Sequence, residues 1–147
     1  MISVRRFGAR DVTRAEAAVR AFKTSSDTAD SVTAFLANPA NFLLVAENEG
    51  EPVGFLLAYR LQRPDRHAAQ MFIYEVDVAE AWRRRGIASA LLEEIRRIAR
   101  AEGMFEAFVL TSRGNEAARS LYARTGATVE DDAAMLFVYP IALEGAA

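Results

Sequence analysis

Apolar positions along the chain change period several times, and each change marks an element. Ile2 to Phe7 reads as a short strand. Asp11 is placed to cap a helix whose apolar face is Val12, Ala15, Val19 and Phe22. Polar residues Thr24 to Asp30 interrupt the pattern, and a second helix is expected over Ser31 to Ala37, stopped by Asn38-Pro39. Phe42 to Ala46 and Val53 to Tyr59 are apolar runs around Glu49-Gly50-Glu51-Pro52, which predicts a hairpin. Gln62 to Ala69 is expected to be loop. Met71 to Val78 then alternates, with Phe72, Tyr74, Val76 and Val78 on one side and Met71, Ile73, Glu75 and Asp77 on the other. A bulge in this strand would break that count and separate the two acids.

Ile87, Leu91, Ile95 and Ile98, flanked by Ala88, Leu92 and Ala99, draw a wide helical stripe that Gly103 ends. Phe105 to Thr111 returns to strand. Asn115 opens a helix with Ala118, Leu121, Tyr122 and Thr125 on one face and Gly126 at its end, and Ala127 to Glu130 and Met135 to Tyr139 read as closing strands. Strands interleaved with helices, with antiparallel signals at both ends, predict a mixed α/β sheet covered by helices on its faces.

Composition narrows the class. A length of 147 residues suits one domain, so residues 1–147 are read as a single unit. The chain has no Cys, which excludes disulfides and thiolate metal sites, and no metal site is expected. Its 18 basic and 20 acidic residues leave a net charge of −2, which gives no general attraction to nucleic acid or anionic lipid. Lys23 is the only lysine; the other basic residues are arginine. No apolar run approaches the length of a membrane span, and a cytoplasmic setting is the expectation.

The strongest chemical signal is the junction from Val76-Asp77-Val78 through Arg83-Arg84-Arg85-Gly86-Ile87-Ala88 into a helix. Small residues at Gly86 and Ala88 allow a ligand close to backbone N–H groups that lack helical partners, and the helix dipole favours an anion there. Three arginines add fixed positive charge, although the same run also suits a solvated surface. The nucleoside triphosphate loop Gly-x-x-x-x-Gly-Lys-Ser/Thr and the dinucleotide loop Gly-x-Gly-x-x-Gly are both missing, which points to another nucleotide-tailed cofactor.

This junction resembles the acetyl-CoA motif of the GCN5-related N-acetyltransferase superfamily, Gln/Arg-x-x-Gly-x-Gly/Ala after a strand. A second superfamily element, Asn-x-x-Ala-x-x-Leu-Tyr-x-x-x-Gly, is matched by Asn115, Ala118, Leu121, Tyr122 and Gly126. The resemblance implies a mixed, mostly antiparallel sheet of about six to seven strands with about four helices on its faces. It implies that acetyl-CoA sets its pyrophosphate on the N–H groups of Arg84 to Ala88, including Arg85, Gly86 and Ile87, with Arg83 opening the loop. Val76 and Val78 would pair through their backbones with the pantetheine amides. Asn115 would contact the same arm, with Ala118 beside it, and the Tyr122 hydroxyl would protonate the departing thiolate. Asn115 is equally a good helix cap, and Tyr122 an ordinary half-buried aromatic.

Transfer to an amine needs removal of a proton, because a free amine is mostly protonated near neutral pH. Glu75 is the leading candidate base and Asp77 the second; an acid paired with one of the many arginines is the competing reading. The stretch from Phe42 to Tyr139 is similar to the aminoglycoside 3-N-acetyltransferases of the first type, through Phe42 to Ala46, Val53-Gly54, Ala58-Tyr59, Ile73-Tyr74-Glu75, Arg84 to Ala88, Leu121-Tyr122 and Phe137. That group carries Asp at the position of Glu75. A polycationic aminosugar needs carboxylates, for which Asp27, Asp30 and Asp77, together with Glu130, Asp131 and Asp132, are candidates. The resemblance thus implies acetylation of an aminoglycoside amine, conferring resistance. The competing functions are acetylation of a protein N-terminus, lysine or polyamine, and a silent CoA-binding sensor. A homodimer joined through the C-terminal strands is a further expectation.

Overall fold

Five strands between Ile2 and Val109 build one sheet, and helices close both of its faces. In the computed structural model, which describes residues 1–24 and 28–141, the elements run β1 (Ile2–Phe7), α1 (Val12–Phe22), α2 (Thr28–Ala37), β2 (Asn41–Asn48), β3 (Glu51–Leu61), β4 (Gln70–Val78), α3 (Ile87–Ala101), β5 (Glu106–Val109) and α4 (Glu116–Arg124). They fall into two units, Met1–Ser112 and Arg113–Ala147. The first unit holds the sheet, in the order β1-β2-β3-β4-β5. Neighbours from β1 to β4 are antiparallel, and β4 pairs with β5 in parallel through Gln70↔Glu106 to Ile73↔Val109.

The β2–β3 hairpin is as the sequence predicts but tighter. Glu49 and Gly50 alone make the turn, with φ of 49° and 85°, the two positive values that match the twist of paired strands. Phe55 and Leu57 share a face with Val45 and Leu43, and there the core takes in Phe7, Ala15, Ala18 and Val32, with Val12, Val19 and Phe22 packed against it. The other face carries Leu44, Leu56 and Ala58, all fully buried, and is covered by α3, whose Leu91 and Ile95 are also fully buried. Each such Leu or Ile side chain removed from water contributes about 1.5–3 kcal/mol. Among the described residues the buried positions of α3 are Ile87, Leu91, Leu92, Ile95, Ile98 and Ala99, the stripe read from the sequence. Gly103, at φ 72°, ends it: its N–H donates to Arg100 O and that of Met104 to Ala99 O, which satisfies two otherwise open carbonyls.

Several boundaries differ from expectation: β2, β3 and β4 run one or two residues further than the apolar runs that mark them. Helix α2 begins at Thr28 rather than Ser31, and β5 covers Glu106–Val109 rather than Phe105 to Thr111. Among the described residues the sheet has five strands rather than six to seven, because neither Ala127 to Glu130 nor Met135 to Tyr139 is strand. Met135 to Tyr139 has strand-forming side chains, but a strand also requires a neighbour for its N–H and C=O groups, and sequence pattern does not supply one. Asp11 precedes α1 without capping it. Its carboxylate instead accepts from Arg5 at 2.8 Å and from the Gly8 N–H at 2.8 Å.

Candidate active site

The site is built where β4 loses its regular register. Leu57 pairs with Glu75 and Ala58 with Ile73, which leaves Tyr74 unmatched as a bulge. The extra residue overturns the simple alternation. Val76 and Val78 share the α3 face with Met71 and Ile73, while Glu75 and Asp77 lie with Phe72 on the face of α1 and α2. The bulge precedes both acids, so they move together; the expected separation does not occur.

Beyond Ile73, β4 has no partner strand on its β5 side among the described residues. The Ala79 N–H donates to Val53 O at 2.9 Å, so by alternation the backbone groups of Val78 and Val76 point to the free edge. Those of Val78 are held by side chains: its N–H donates to Asp77 Oδ1 at 2.8 Å, and its carbonyl accepts from Arg83 Nε at 3.0 Å. Arg83 also approaches Asp77 at 3.7 Å. Asp77 is therefore committed to its own strand and loop, whereas Glu75 faces an amine, that of Lys23.

Glu75 is three-quarters buried and meets Lys23 at the end of α1, whose Nζ donates to Glu75 Oε1 at 2.6 Å. Lys23 also lies 5.8 Å from the centre of the Phe55 ring. An aromatic wall continues from this carboxylate. The Tyr59 ring packs edge-on to Tyr74 at 5.8 Å and to Phe35 at 5.9 Å, Tyr74 packs against Phe72 at 5.7 Å, and Phe72 stacks on Phe108 at 4.8 Å. Burial first, then the nearby Tyr74 and Glu75, pushes the Tyr59 hydroxyl above the ordinary tyrosine range, so it stays protonated at neutral pH.

The basic loop follows a short turn at Glu80–Trp82. Arg84 adopts φ 63° and Gly86 φ 79°, so the chain coils tightly before α3 starts. Glycine at 86 is demanded by that φ, and the space where a Cβ would stand is open. The first α3-type bond runs from Ala90 N–H to Gly86 O at 3.0 Å, which leaves the N–H groups of Ile87 and Ala88 without intrahelical acceptors. Arg85 lies over the Trp82 ring at 4.7 Å, so Trp82 supports the loop. Open space, amides without helical acceptors and the guanidinium groups of Arg84 and Arg85 fit a pyrophosphate, and the edge at Val76 and Val78, without a partner strand among the described residues, fits an amide-bearing arm if Asp77 and Arg83 release Val78.

The second unit holds the other two candidates. Asn115 caps α4, its Oδ1 accepting from the Ala118 N–H at 3.1 Å. Tyr122 is partly buried on α4, and that burial raises its hydroxyl above the usual range, which keeps the proton it would donate. Of the acids expected to hold a cation, Asp27 lies outside the described residues and Asp30 is exposed on α2. Glu130 is exposed; Asp131 accepts from the Ala133 N–H at 2.9 Å, and Asp132 pairs with Arg113 at 3.2 Å. These two serve their own turn. Sequence reasoning passed over Lys23, Tyr59 and the role of Gly54. A Cβ at Gly54 would stand 3.0 Å from Ile87 Cγ2 and 3.2 Å from Asp77 O, so glycine there lets the start of α3 sit against the sheet.

A bulged β4, unpaired on one edge beyond Ile73 among the described residues, thus feeds a basic loop and a helix start. Residues 12–127 match the acetyltransferase (GNAT) family, and the chain belongs to that family. It is 27% identical over 128 residues to N-acetyltransferase 8 of Rattus norvegicus, covering 79% of this chain and 58% of that protein. The chain thus spans little more than half the length of this relative. Among solved structures it resembles the aminoglycoside acetyltransferase meta-AAC0020 from an uncultured soil metagenomic sample, in complex with trehalose, at TM-score 0.89 and 22% identity over 96% of this chain and 97% of that one. The same protein in complex with sisomicin gives TM-score 0.88 and 21% identity over the same shares. The aminoglycoside acetyltransferase HMB0005, also from an uncultured soil metagenomic sample, gives TM-score 0.82 and 27% identity over 97% of this chain and 99% of that one.

Proposed function

We propose that this chain transfers acetyl from acetyl-CoA to an amine of an aminoglycoside, at the 3-amino group, by direct attack within a ternary complex. The observation that carries the reading is the Glu75 carboxylate, set at the bulge of β4 beside the free edge of Val76 and Val78 and already in contact with an amine. A base must lie within hydrogen-bond reach of the proton it removes, and Glu75 shows that reach toward an amine nitrogen. Support for the substrate class comes from the aminoglycoside acetyltransferases of similar fold, one of them in complex with sisomicin. The choice of the 3-amino group rests on the sequence resemblance.

In this reading the N–H groups of Arg84 to Ala88 hold the pyrophosphate. Val76 and Val78 pair with the pantetheine once Asp77 and Arg83 release the Val78 backbone. Asn115 and Ala118 flank the same arm. Glu75 accepts the amine proton, the nitrogen attacks the thioester carbon, the C–S bond breaks, and Tyr122 protonates the leaving sulfur. Asp30 and Glu130, exposed and acidic, are the proposed docking charges for the other ammonium groups, with Asp27. A homodimer belongs to the same reading, since Leu136, Phe137 and Tyr139 are 78–88% exposed and such a run is suited to burial against a second copy.

The test is free-thiol release from acetyl-CoA with gentamicin, kanamycin, spermidine and a lysine peptide. Release with the aminoglycosides alone, with NMR of the product showing a 3-N-acetyl group, is the expected result. Release with the peptide or spermidine alone overturns the substrate class, and CoA binding without release for any amine overturns the enzyme reading. Sedimentation of the full chain tests the dimer.

A further inference from the structure

Lys23 is the chain's single lysine, and its side chain stands where the proposed reaction needs an amine. Helix α1 ends at Phe22; Lys23 leaves it in extended conformation, φ −129° and ψ 150°, with its N–H held by Val19 O at 2.7 Å. The short reach from that anchored backbone brings Nζ to Glu75 Oε1 at 2.6 Å and over Phe55. An external amine that gives its proton to Glu75 must occupy the same place. In the proposed reaction each substrate would displace the resident lysine, which without substrate keeps its own amine against the proposed base.

We propose that Lys23 is a self-acetylation site: with acetyl-CoA bound and no amine substrate present, the chain acetylates its own Lys23 Nζ. This rests on the reading of Glu75 as base and of β4 as the acetyl-CoA edge. Glu75 takes one proton from the Lys23 ammonium, and the freed nitrogen pair attacks the thioester carbonyl carbon. The N–C bond forms, the C–S bond breaks, and sulfur leaves with the bonding pair. The second nitrogen proton ends on the thiolate and Glu75 returns the first to water. The products are an acetamide on Lys23, free CoA thiol and one proton. Holding both reactants on one chain replaces a bimolecular encounter, which is the advantage of proximity. The acetamide carries no charge, so the reaction also removes the cation that holds Glu75.

Full-length protein is incubated with acetyl-CoA alone and followed by intact mass and peptide mapping. The expected result is one acetyl group at Lys23, at a rate independent of protein concentration, about a hundredfold slower in Glu75→Gln, the low end of what a positioned base supplies. Lys23→Arg is expected to bind CoA normally and gain no acetyl at residue 23. In CoA-free protein labelled at lysine, the single Cε resonance is expected to move in Glu75→Gln, which reads the contact without turnover. Calorimetric CoA binding and aminoglycoside turnover are measured beside these. CoA binding and aminoglycoside acetylation with Lys23 unmodified overturn the self-acetylation and leave the function standing, whereas loss of CoA binding and of all turnover overturns the function itself. Labelling of Lys23 at an equal rate in Glu75→Gln, a rate that rises with protein concentration, or an unmoved Cε resonance also overturns the inference.

Discussion

Glu75 and Lys23 show what a residue can and cannot reveal from its place in the chain. An acid inside the apolar run Met71 to Val78 has no reason to be there except chemistry or pairing, so Glu75 and Asp77 stand out from sequence alone. Their different commitments do not. Asp77 is tied to the Val78 N–H and to Arg83, and Glu75 to an amine 52 positions away in sequence. Lys23 carries a weak signal that could have drawn attention, a single lysine among arginines at a helix end. At this scale Glu75→Gln is expected to lower kcat/KM for the amine by about a hundredfold or more, with CoA affinity kept, because it removes proton acceptance and little volume. Steady-state kinetics with calorimetry check it. Tyr122→Phe is expected to lower kcat by a similar factor of about a hundred with KM for acetyl-CoA unchanged, because burial keeps that hydroxyl protonated and available; equal kcat in the variant removes Tyr122 from the reaction.

At the scale of elements, strand β4 and helix α3 were legible for different reasons. The α3 stripe is long and periodic, so the buried set follows from spacing. Strand β4 was legible as a strand but not in its facing, because a bulge adds a residue without altering composition, and Tyr74 is as good a strand residue as its neighbours. The junction between them rests on two glycines with different duties. Gly86→Ala places a Cβ at φ 79° in open space, so its cost is conformational, about 1–2 kcal/mol, and it is expected to weaken CoA binding through the displaced amides. Gly54→Ala leaves the basic loop unchanged in sequence but pushes on Ile87 and on Asp77 O. Overpacking of this kind costs about 1–3 kcal/mol, read by urea unfolding, and it is expected to lower CoA affinity because α3 starts from Ile87. A Gly54→Ala protein of unchanged stability would mean that the start of α3 is not held by that contact.

Over the whole molecule, the mixed sheet and its helix layers followed from the order of periods, whereas the two closing strands expected from the same pattern are not strand in the structure, since pairing partners are a property of the fold and not of the segment Met135 to Tyr139. One contribution to the pH response of global stability comes from a pair that sequence pattern assigned to another task. Asp11, expected as a helix cap, is held below its ordinary 3.8 by the Arg5 guanidinium first and the Gly8 N–H second. A carboxylate lowered in the folded state contributes stability that is present above its unfolded value and is lost as pH falls through the folded value. Arg5 is 42% exposed, so solvent screening limits the pair to about 1 kcal/mol or less. Asp11→Asn is therefore expected to unfold at lower urea near neutral pH, by an amount in that range, and to converge on the unsubstituted protein once acid has protonated Asp11 in the folded state. The convergence is the decisive part: a difference that persists at acid pH would assign the loss to packing of the Gly8 to Asp11 turn, and a difference that grows there would reverse the sign of the linkage.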